Sequence, residues 1–195
     1  MYAVKEVYLT LQGEGAQTGQ AAIFCRFSGC NLWNGREDGR SKATCTFCDT
    51  DFVGVDGPNG GRFKTADALA HHLLSIWNQT ASSTKDAMVV FTGGEPALQL
   101  DETLLKACKA LGFRTAIETN GTLPLPTGID WVCVSPKSTA PLVVTKGDEL
   151  KLVYPQADCQ PEHFTQMEFT HRFLQPMDGP TAAVNTSKTI EYCMK

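Results

Sequence analysis

Residues 87–121 read AMVVFTGGEPALQLDETLLKACKALGFRTAIETNG. Ala87–Phe91 is an apolar run of strand length, and it leaves through a polar, Gly-rich exit, FTGGEP at 91–96. The stretch ALQLDETLLKACKALG then carries apolar residues at Leu100, Leu104, Cys108 and Leu111, the spacing of one helical face, with Gly112 placed to end it. Thr115–Glu118 returns as a second apolar run. A strand, a crossover helix and a second strand make the unit from which parallel sheets are assembled. This stretch therefore sets the class as α/β.

Working outward, strand-length runs recur at Val4–Leu11, Ala21–Phe27, Trp131–Val134, Glu149–Tyr154 and Arg172–Leu174. Their Val, Ile, Phe and Leu content suits buried strands of a parallel sheet. Thr65 is placed to cap a helix, TADALAHHLLSIWN, with Leu69, Leu73, Ile76 and Trp77 at helical spacing. A third helix is expected over NTSKTIEYCMK, with Asn185 as its cap. One connection is too short for the pattern: TLPLPTG, between the ETN and WVCV strands, cannot hold a crossover helix. The expected fold is thus a reduced, irregular partial (β/α) barrel with fewer helices than strands. Polar motifs gather at the strand exits, where ligand sites of α/β folds lie: FTGGEP, IETNG, VSPK and FLQPMD.

With 195 residues the chain reads as one domain over 1–195, long enough to bury a core. A formal net charge of −4 and the lack of any basic run argue against a nucleic-acid backbone binder. The start, MYAVKEVYLTLQGEG, lacks a signal-peptide layout, and no apolar stretch reaches the roughly 18 residues of a membrane span, so the expected location is cytoplasmic. The four histidines carry no placed role; His71 and His72 are expected to be solvated.

The chain has eight cysteines. Cys25, Cys108, Cys133, Cys159 and Cys193 are scattered singly and read as small buried apolar residues. Cys30, Cys45 and Cys48 cluster in CNLWNGREDGRSKATCTFCDT at 30–50, with the C-x2-C spacing that in a reducing compartment means metal. Spacing alone leaves zinc and an iron–sulfur cluster open. Cys25 would complete a four-cysteine zinc set, but Ile23, Cys25 and Phe27 share one strand face and Phe24, Arg26 and Ser28 the other, which marks Cys25 as core. A cluster held by three thiolates leaves one iron free for another ligand, whereas the zinc reading makes the chain a binding module without catalysis.

The motifs also carry a resemblance. LQGEG at 11–15, FCRFSGCNLW at 24–33, CTFCDTDF at 45–52, FTGGEP at 91–96, ETNG at 118–121, SPK at 135–137, DELKLVYP at 148–155 and FLQPMD at 174–178 resemble, in order and over nearly the whole chain, the 7-carboxy-7-deazaguanine synthases of the radical S-adenosylmethionine (SAM) superfamily. The superfamily's usual C-x3-C-x2-C motif is enlarged here, with fourteen residues between Cys30 and Cys45. The chain stops at EYCMK, where the family usually continues through a short segment that closes on the substrate.

The resemblance implies a radical SAM lyase that converts 6-carboxy-5,6,7,8-tetrahydropterin to 7-carboxy-7-deazaguanine with loss of ammonia, towards deazapurines of the queuosine type. It implies a 4Fe–4S cluster on Cys30, Cys45 and Cys48, with SAM chelating the free iron. Further SAM contacts fall on Phe47, Cys48, Asp49, Gly94, Ser135, Pro136, Lys137 and Gln175, Pro176, Met177 and Asp178. Magnesium falls on Thr50. The pterin falls on Leu11, Gln12, Gly13, Glu14, Arg26 and Thr92, with Arg26, a planar fork that matches a carboxylate, as reader of the substrate's carboxylate. A homodimer and an electron donor such as a flavodoxin are the partners implied, with neither nucleic acid nor membrane among them.

Overall fold

Short apolar strands and amphipathic helices resolve, in a computed structural model that describes residues 1–81 and 83–195, into one eight-stranded sheet. The strands are β1 (Tyr2–Leu11), β2 (Ala21–Phe27), β3 (Gly61–Phe63), β4 (Met88–Gly93), β5 (Arg114–Thr119), β6 (Trp131–Val134), β7 (Lys146–Tyr154) and β8 (Glu168–Pro176). Three α-helices accompany them among the described residues: α1 (Ala66–Trp77), α2 (Glu102–Ala110) and, after the last strand, α3 (Ala182–Cys193). The spatial order is β3-β1-β2-β4-β5-β6-β7-β8, an open sheet with more strands than helices, as the partial-barrel reading requires.

From β2 to β8 every pairing is parallel, but β1 runs antiparallel to both β2 and β3. The purely parallel expectation fails there because residues 12–20 are too few for a crossover and so form a hairpin. β3, three residues with no readable periodicity, was not expected. The connection from β5 to β6 holds no helix, and Leu125 and Ile129 pack the gap against the core.

Thr65 caps α1, its hydroxyl accepting from the Ala68 amide at 3.1 Å. Leu69, Ala70, Leu73, Ile76 and Trp77 are buried on one face of that helix. Each such Leu is worth roughly 1.5–3 kcal/mol of burial. Asp101 caps α2 through the Leu104 amide at 2.8 Å and also accepts from the Tyr2 hydroxyl at 2.9 Å, tying the helix to β1. The α3 expectation needs correction: the helix begins at Ala182 and Asn185 lies inside it. Asn185 is buried, and its amide donates to Met177 O at 2.9 Å and Thr181 Oγ1 at 3.2 Å, so it fastens the helix to the β8 exit.

Alternation gives the sheet two unlike faces. The outer face carries Val7, Ile23, Cys25, Phe27, Val89, Phe91 and Ile117 into one core with α1 and α2. The inner face has a small apolar floor of Ala22, Phe24, Met88, Val90 and Ala116, edged by Tyr8 and Trp131. Cys25, Cys108, Cys133 and Cys159 are buried as expected, while Cys193, in the last turn of α3, is exposed. His71 is exposed, but His72 is half-buried, 2.9 Å from Asn59 O with its ring 4.9 Å from that of Phe63, because α1 lies over β3. No helix among the described residues is long and apolar enough to cross a membrane.

Candidate active site

The chain leaves β2 at the carboxyl end of the sheet and reaches Cys30 three residues later. The β4 exit is packed onto this turn: the Gly94 amide donates to Phe27 O at 3.3 Å and the Glu95 amide to Gly29 O at 2.9 Å. A Cβ at Gly94 would collide with the Gly29 carbonyl and stand 2.8 Å from Cys30 Cβ. Only glycine allows so close an approach. The next residue does the fastening. Glu95 is fully buried and accepts from Thr119 Oγ1 (2.7 Å), the Asn120 amide (2.8 Å) and the Ala97 amide (2.9 Å). Burial pushes its pKa up, against those three donors. Asn120 in turn donates to Asn31 Oδ1 at 3.0 Å, and Asn31 to Thr122 Oγ1 at 2.8 Å, so the ETNG exit grips the residue beside Cys30.

The fourteen residues between Cys30 and Cys45 are a built structure. Trp33 and Phe52, both buried, meet edge to face at 5.6 Å. Arg40 lies 4.1 Å over the Trp33 ring, is paired with Glu37, and donates through Nη1 to Thr46 O and Cys48 O, both at 2.9 Å. One guanidinium thus closes the Cys45–Cys48 turn. The hydrogen bond from the Cys45 thiol, helped by Thr50, lowers the Cys48 pKa against burial, while the same bond raises that of Cys45. Cys30 also accepts from the Leu32 amide at 3.4 Å. A loop that already favours one thiolate and aims amides at another suits soft-metal ligation.

Cys25 cannot join this set. It is wholly buried on the outer face of β2. Among the described residues no three His, Cys, Asp or Glu side chains converge on a single-ion site. Three thiolates without a fourth fit an iron–sulfur cluster with one iron open, and do not fit closed structural zinc.

Beside the cysteines, the inner face turns polar towards the same end of the sheet. Arg26 pairs in register with Thr92, and Cys133 with Glu149. Arg26 Nε is 2.8 Å from Glu6 Oε1, and Nη2 donates to the Tyr8 hydroxyl at 3.1 Å. The β1–β2 hairpin crosses this face as a strap: Gln12 Nε2 donates to Glu118 Oε1 at 2.8 Å, and the Ala16 amide to Glu149 Oε2 at 3.1 Å. The tight seating of Gly15 on Glu149 leaves no room for a Cβ. A cavity beneath the strap is lined by Gln12, Glu14, Met88, Glu118, Cys133 and Glu149, among others. A second, of about 320 Å³, is lined by Lys5, Glu6, Arg26, Asp49, Thr50 and Asp51.

No family model matches the chain. A 7-carboxy-7-deazaguanine synthase of Bordetella pertussis is 61% identical over 193 residues, 99% of this chain and 90% of that one. One of Caulobacter vibrioides is 57% identical over the same shares. The chain belongs to the 7-carboxy-7-deazaguanine synthase family. The crystal structure of QueE from Escherichia coli shares the fold, with a TM-score of 0.68 at 23% identity over 99% of this chain and 89% of that one. A member of this synthase family is a radical SAM enzyme, with a 4Fe–4S cluster and SAM as cofactors.

In this synthase fold the expected site residues fall into three groups. Cys30, Cys45, Cys48, Gly94 and Lys137 lie together: the Lys137 ammonium, its pKa lowered by burial, is near enough to Cys45 and Cys48 for their charges to act on it, and it donates to Ser135 O at 3.0 Å. Buried Gln156 holds the SPK loop, donating to Pro136 O and accepting from the Ser138 amide. Gln12, Glu14, Arg26 and Thr92 form the inner-face group, whereas Leu11 is 63% exposed at the end of β1 and Gly13 faces open space. Gln12 does not offer its amide freely, since its oxygen accepts from the Glu14 amide at 3.1 Å and its nitrogen is on Glu118. Gln175 to Asp178 close the β8 end, with Met177 bonded to Tyr154 O and Asp178 exposed. No hydrogen bond among the described residues joins that segment to the cysteine loop. Arg40, Glu95, Glu118, Glu149, Lys151 and Gln156 were not singled out from sequence. Glu118 and Glu149 alternate with apolar neighbours in their strands, and that parity was the available signal.

Proposed function

We propose that the chain acts as a carbon–nitrogen lyase on 6-carboxy-5,6,7,8-tetrahydropterin, giving 7-carboxy-7-deazaguanine and ammonia, with the site residues in the roles named below. The observation that carries this is the inner face: a polar row at the carboxyl end of the sheet stands beside three thiols that lack a fourth. When bound, the cluster and SAM supply the one-electron chemistry that begins with removal of a hydrogen from the pterin.

The chain's own residues bind and orient. Cys30, Cys45 and Cys48 hold the cluster; Gly94, the Phe47–Asp49 turn, Ser135–Lys137 and Gln175–Asp178 hold SAM. Arg26 takes the substrate carboxylate: Glu6 and Tyr8 fix two of its nitrogens, and Nη1 has no hydrogen-bond partner among the described residues. Thr92, Gly13, Gln12, Glu14 and the Leu11 backbone border the pterin ring. Thr50 supplies one oxygen to magnesium, supported by the cavity it shares with Asp49 and with the Lys5–Asp51 and Arg26–Glu6 pairs. Residues 1–195 serve as one radical SAM domain, supported by a sheet that runs without a break from β3 to β8. A homodimer, a flavodoxin-type reductant, a cytoplasmic location and no nucleic-acid partner complete the reading, supported by the family and by the chain's acidic balance.

Anaerobic reconstitution tests it. The expected outcome is four irons and four sulfides per chain and conversion of the carboxypterin with release of ammonia. One zinc per chain, or a reduced cluster that leaves the carboxypterin untouched, overturns it.

A further inference from the structure

The strap carrying Gln12, Gly13 and Glu14 has only its own hairpin bonds along the backbone, so its height above the sheet depends on side chains. Lys151, on the inner face of β7, has its side chain only 8% exposed. Its ammonium is 2.7 Å from Glu14 Oε2 and 3.4 Å from Glu118 Oε1. Gln12 donates to the same Glu118 oxygen and accepts from the Glu14 amide. The four residues close a ring that joins strap, β5 and β7. Burial alone would lower the Lys151 pKa; Glu118, Cys133 and Glu14 outweigh it and hold the pKa up, so the ammonium stays charged.

Two features point beyond a structural ion pair. Glu14, Glu118 and Glu149 all line the cavity under the strap, but Lys151 does not. It also occupies one oxygen of Glu14 and one of Glu118, and neither carboxylate's second oxygen has a hydrogen-bond partner among the described residues. Both carboxylates line the cavity under the strap, a space of about 10 Å³, and the amino-pyrimidinone edge of a pterin is rich in N–H donors.

We propose that Lys151 is a positioning residue for pterin recognition: it fixes the Glu14 and Glu118 carboxylates, and through them the strap, at the spacing that the ring's donor edge needs. This rests on the synthase reading above. Without the ammonium, the Glu14 and Glu118 carboxylates, with side chains 43% and 23% exposed, lose the charge that bridges them, and the Gln12–Glu14 end of the strap loses its tie to β7. A charge-assisted bond of this kind corresponds to roughly ten- to a hundredfold in binding.

The test compares wild type, Lys151→Met and Lys151→Arg after cluster reconstitution. Carboxypterin binding is read by quenching of pterin fluorescence in the unreduced protein, and KM and kcat by turnover. Lys151→Met is expected to weaken binding and raise KM by about tenfold or more, with a much smaller change in kcat, full iron content and unchanged SAM affinity. Lys151→Arg, which keeps the charge, recovers most of the binding. Binding and KM within twofold of wild type in Lys151→Met overturn the proposal, as does a loss of pterin binding in a folded Lys151→Arg equal to that in Lys151→Met. If Lys151→Met does not fold, Lys151→Gln carries the same comparison. A wild type that binds the carboxypterin but does not convert it sinks the synthase reading and leaves the binding comparison to judge Lys151.

Discussion

Strand β2 presents two faces that share a backbone and little else. On the outer face Ile23, Cys25 and Phe27 have no exposed surface at all and meet α1 and the β4 core. On the inner face Phe24 gives way, two residues on, to Arg26, which leans on Glu6 and Tyr8 over an open cavity. Cys25 and Cys30 make the contrast sharpest. The same thiol packs as a hydrocarbon at one position and lies among amides and other thiols at the other. Strand parity and the carboxyl end of the sheet decide its role, and residue type does not.

The largest expected effect breaks that contrast directly. Cys30→Ala, Cys45→Ala or Cys48→Ala should each remove most of the cluster and all SAM cleavage, read by iron content and by 5′-deoxyadenosine formation. Cys25→Ser should keep its iron while losing roughly 1–3 kcal/mol of stability, because a hydroxyl would be buried without a partner. Loss of the cluster in Cys25→Ser would mean that β2's outer face takes part in ligation.

Next in size is the inner face of the same strand. Arg26→Lys keeps the charge but loses the fork, so carboxypterin binding should weaken by roughly ten- to a hundredfold while folding and SAM binding persist. A pterin lacking the carboxylate should bind poorly to the wild type and lose little more in the variant. Equal weakening of both pterins would show that Arg26 shapes the site through Glu6 and does not read the carboxylate.

Thr50→Val tests the rim between the two regions. Valine keeps the shape of the threonine but removes its oxygen. Removing a ligand should cost at least what removing a partner behind a ligand costs, about tenfold in metal affinity. The magnesium needed for half-maximal turnover should rise accordingly, with iron and SAM binding intact. An unchanged magnesium requirement would place the ion elsewhere in the cavity.

The two faces also differ in how much of them the sequence revealed. Ile23/Cys25/Phe27 and the α1 stripe were legible because burial on one face imposes a period on apolar residues. The cysteine set was legible for the complementary reason, that thiols in a polar, Gly-rich stretch have no packing role to explain them. Lys151 and Glu149 were not, because a charged residue alternating with Leu150 and Leu152 reads as facing solvent until the strap is known to cross that face. Glu95 hid inside a turn motif, and Arg40 inside a charged loop whose fold depends on Trp33 and Phe52. The antiparallel turn of β1 and the three-residue β3 are set by pairing, which no local pattern encodes. Asn185 misled because asparagine serves both as a helix cap and, when buried, as a fastener.

The smallest expected effect lies at the end of the sheet remote from the cysteines, where a charged cluster has no ligand to serve. Asp130, just before β6, accepts from the Thr115 amide and hydroxyl, both at 2.9 Å, and pairs with Lys109 at 2.6 Å. The Lys109 and Asp130 side chains are 38% and 34% exposed, so solvent screens the pair and the bonds to wholly buried Thr115 matter more. Burial alone would raise the Asp130 pKa, but Lys109 and Thr115 outweigh it and hold it below the ordinary carboxylate value. A depressed folded pKa adds stability above the unfolded value, near 3.9, and that stability is lost as pH falls through the folded value. Asp130→Asn keeps the shape and one acceptor but no charge, so it should cost about 1 kcal/mol at pH 7. The urea midpoints of the metal-free wild type and variant should converge as the pH drops below about 4. Pterin binding and turnover at pH 7 should not change, since Asp130 touches neither the strap nor the cysteine loop. A gap between midpoints that persists in acid would show that Asn disturbs the geometry at Thr115, and that charge contributes nothing at this end of the sheet.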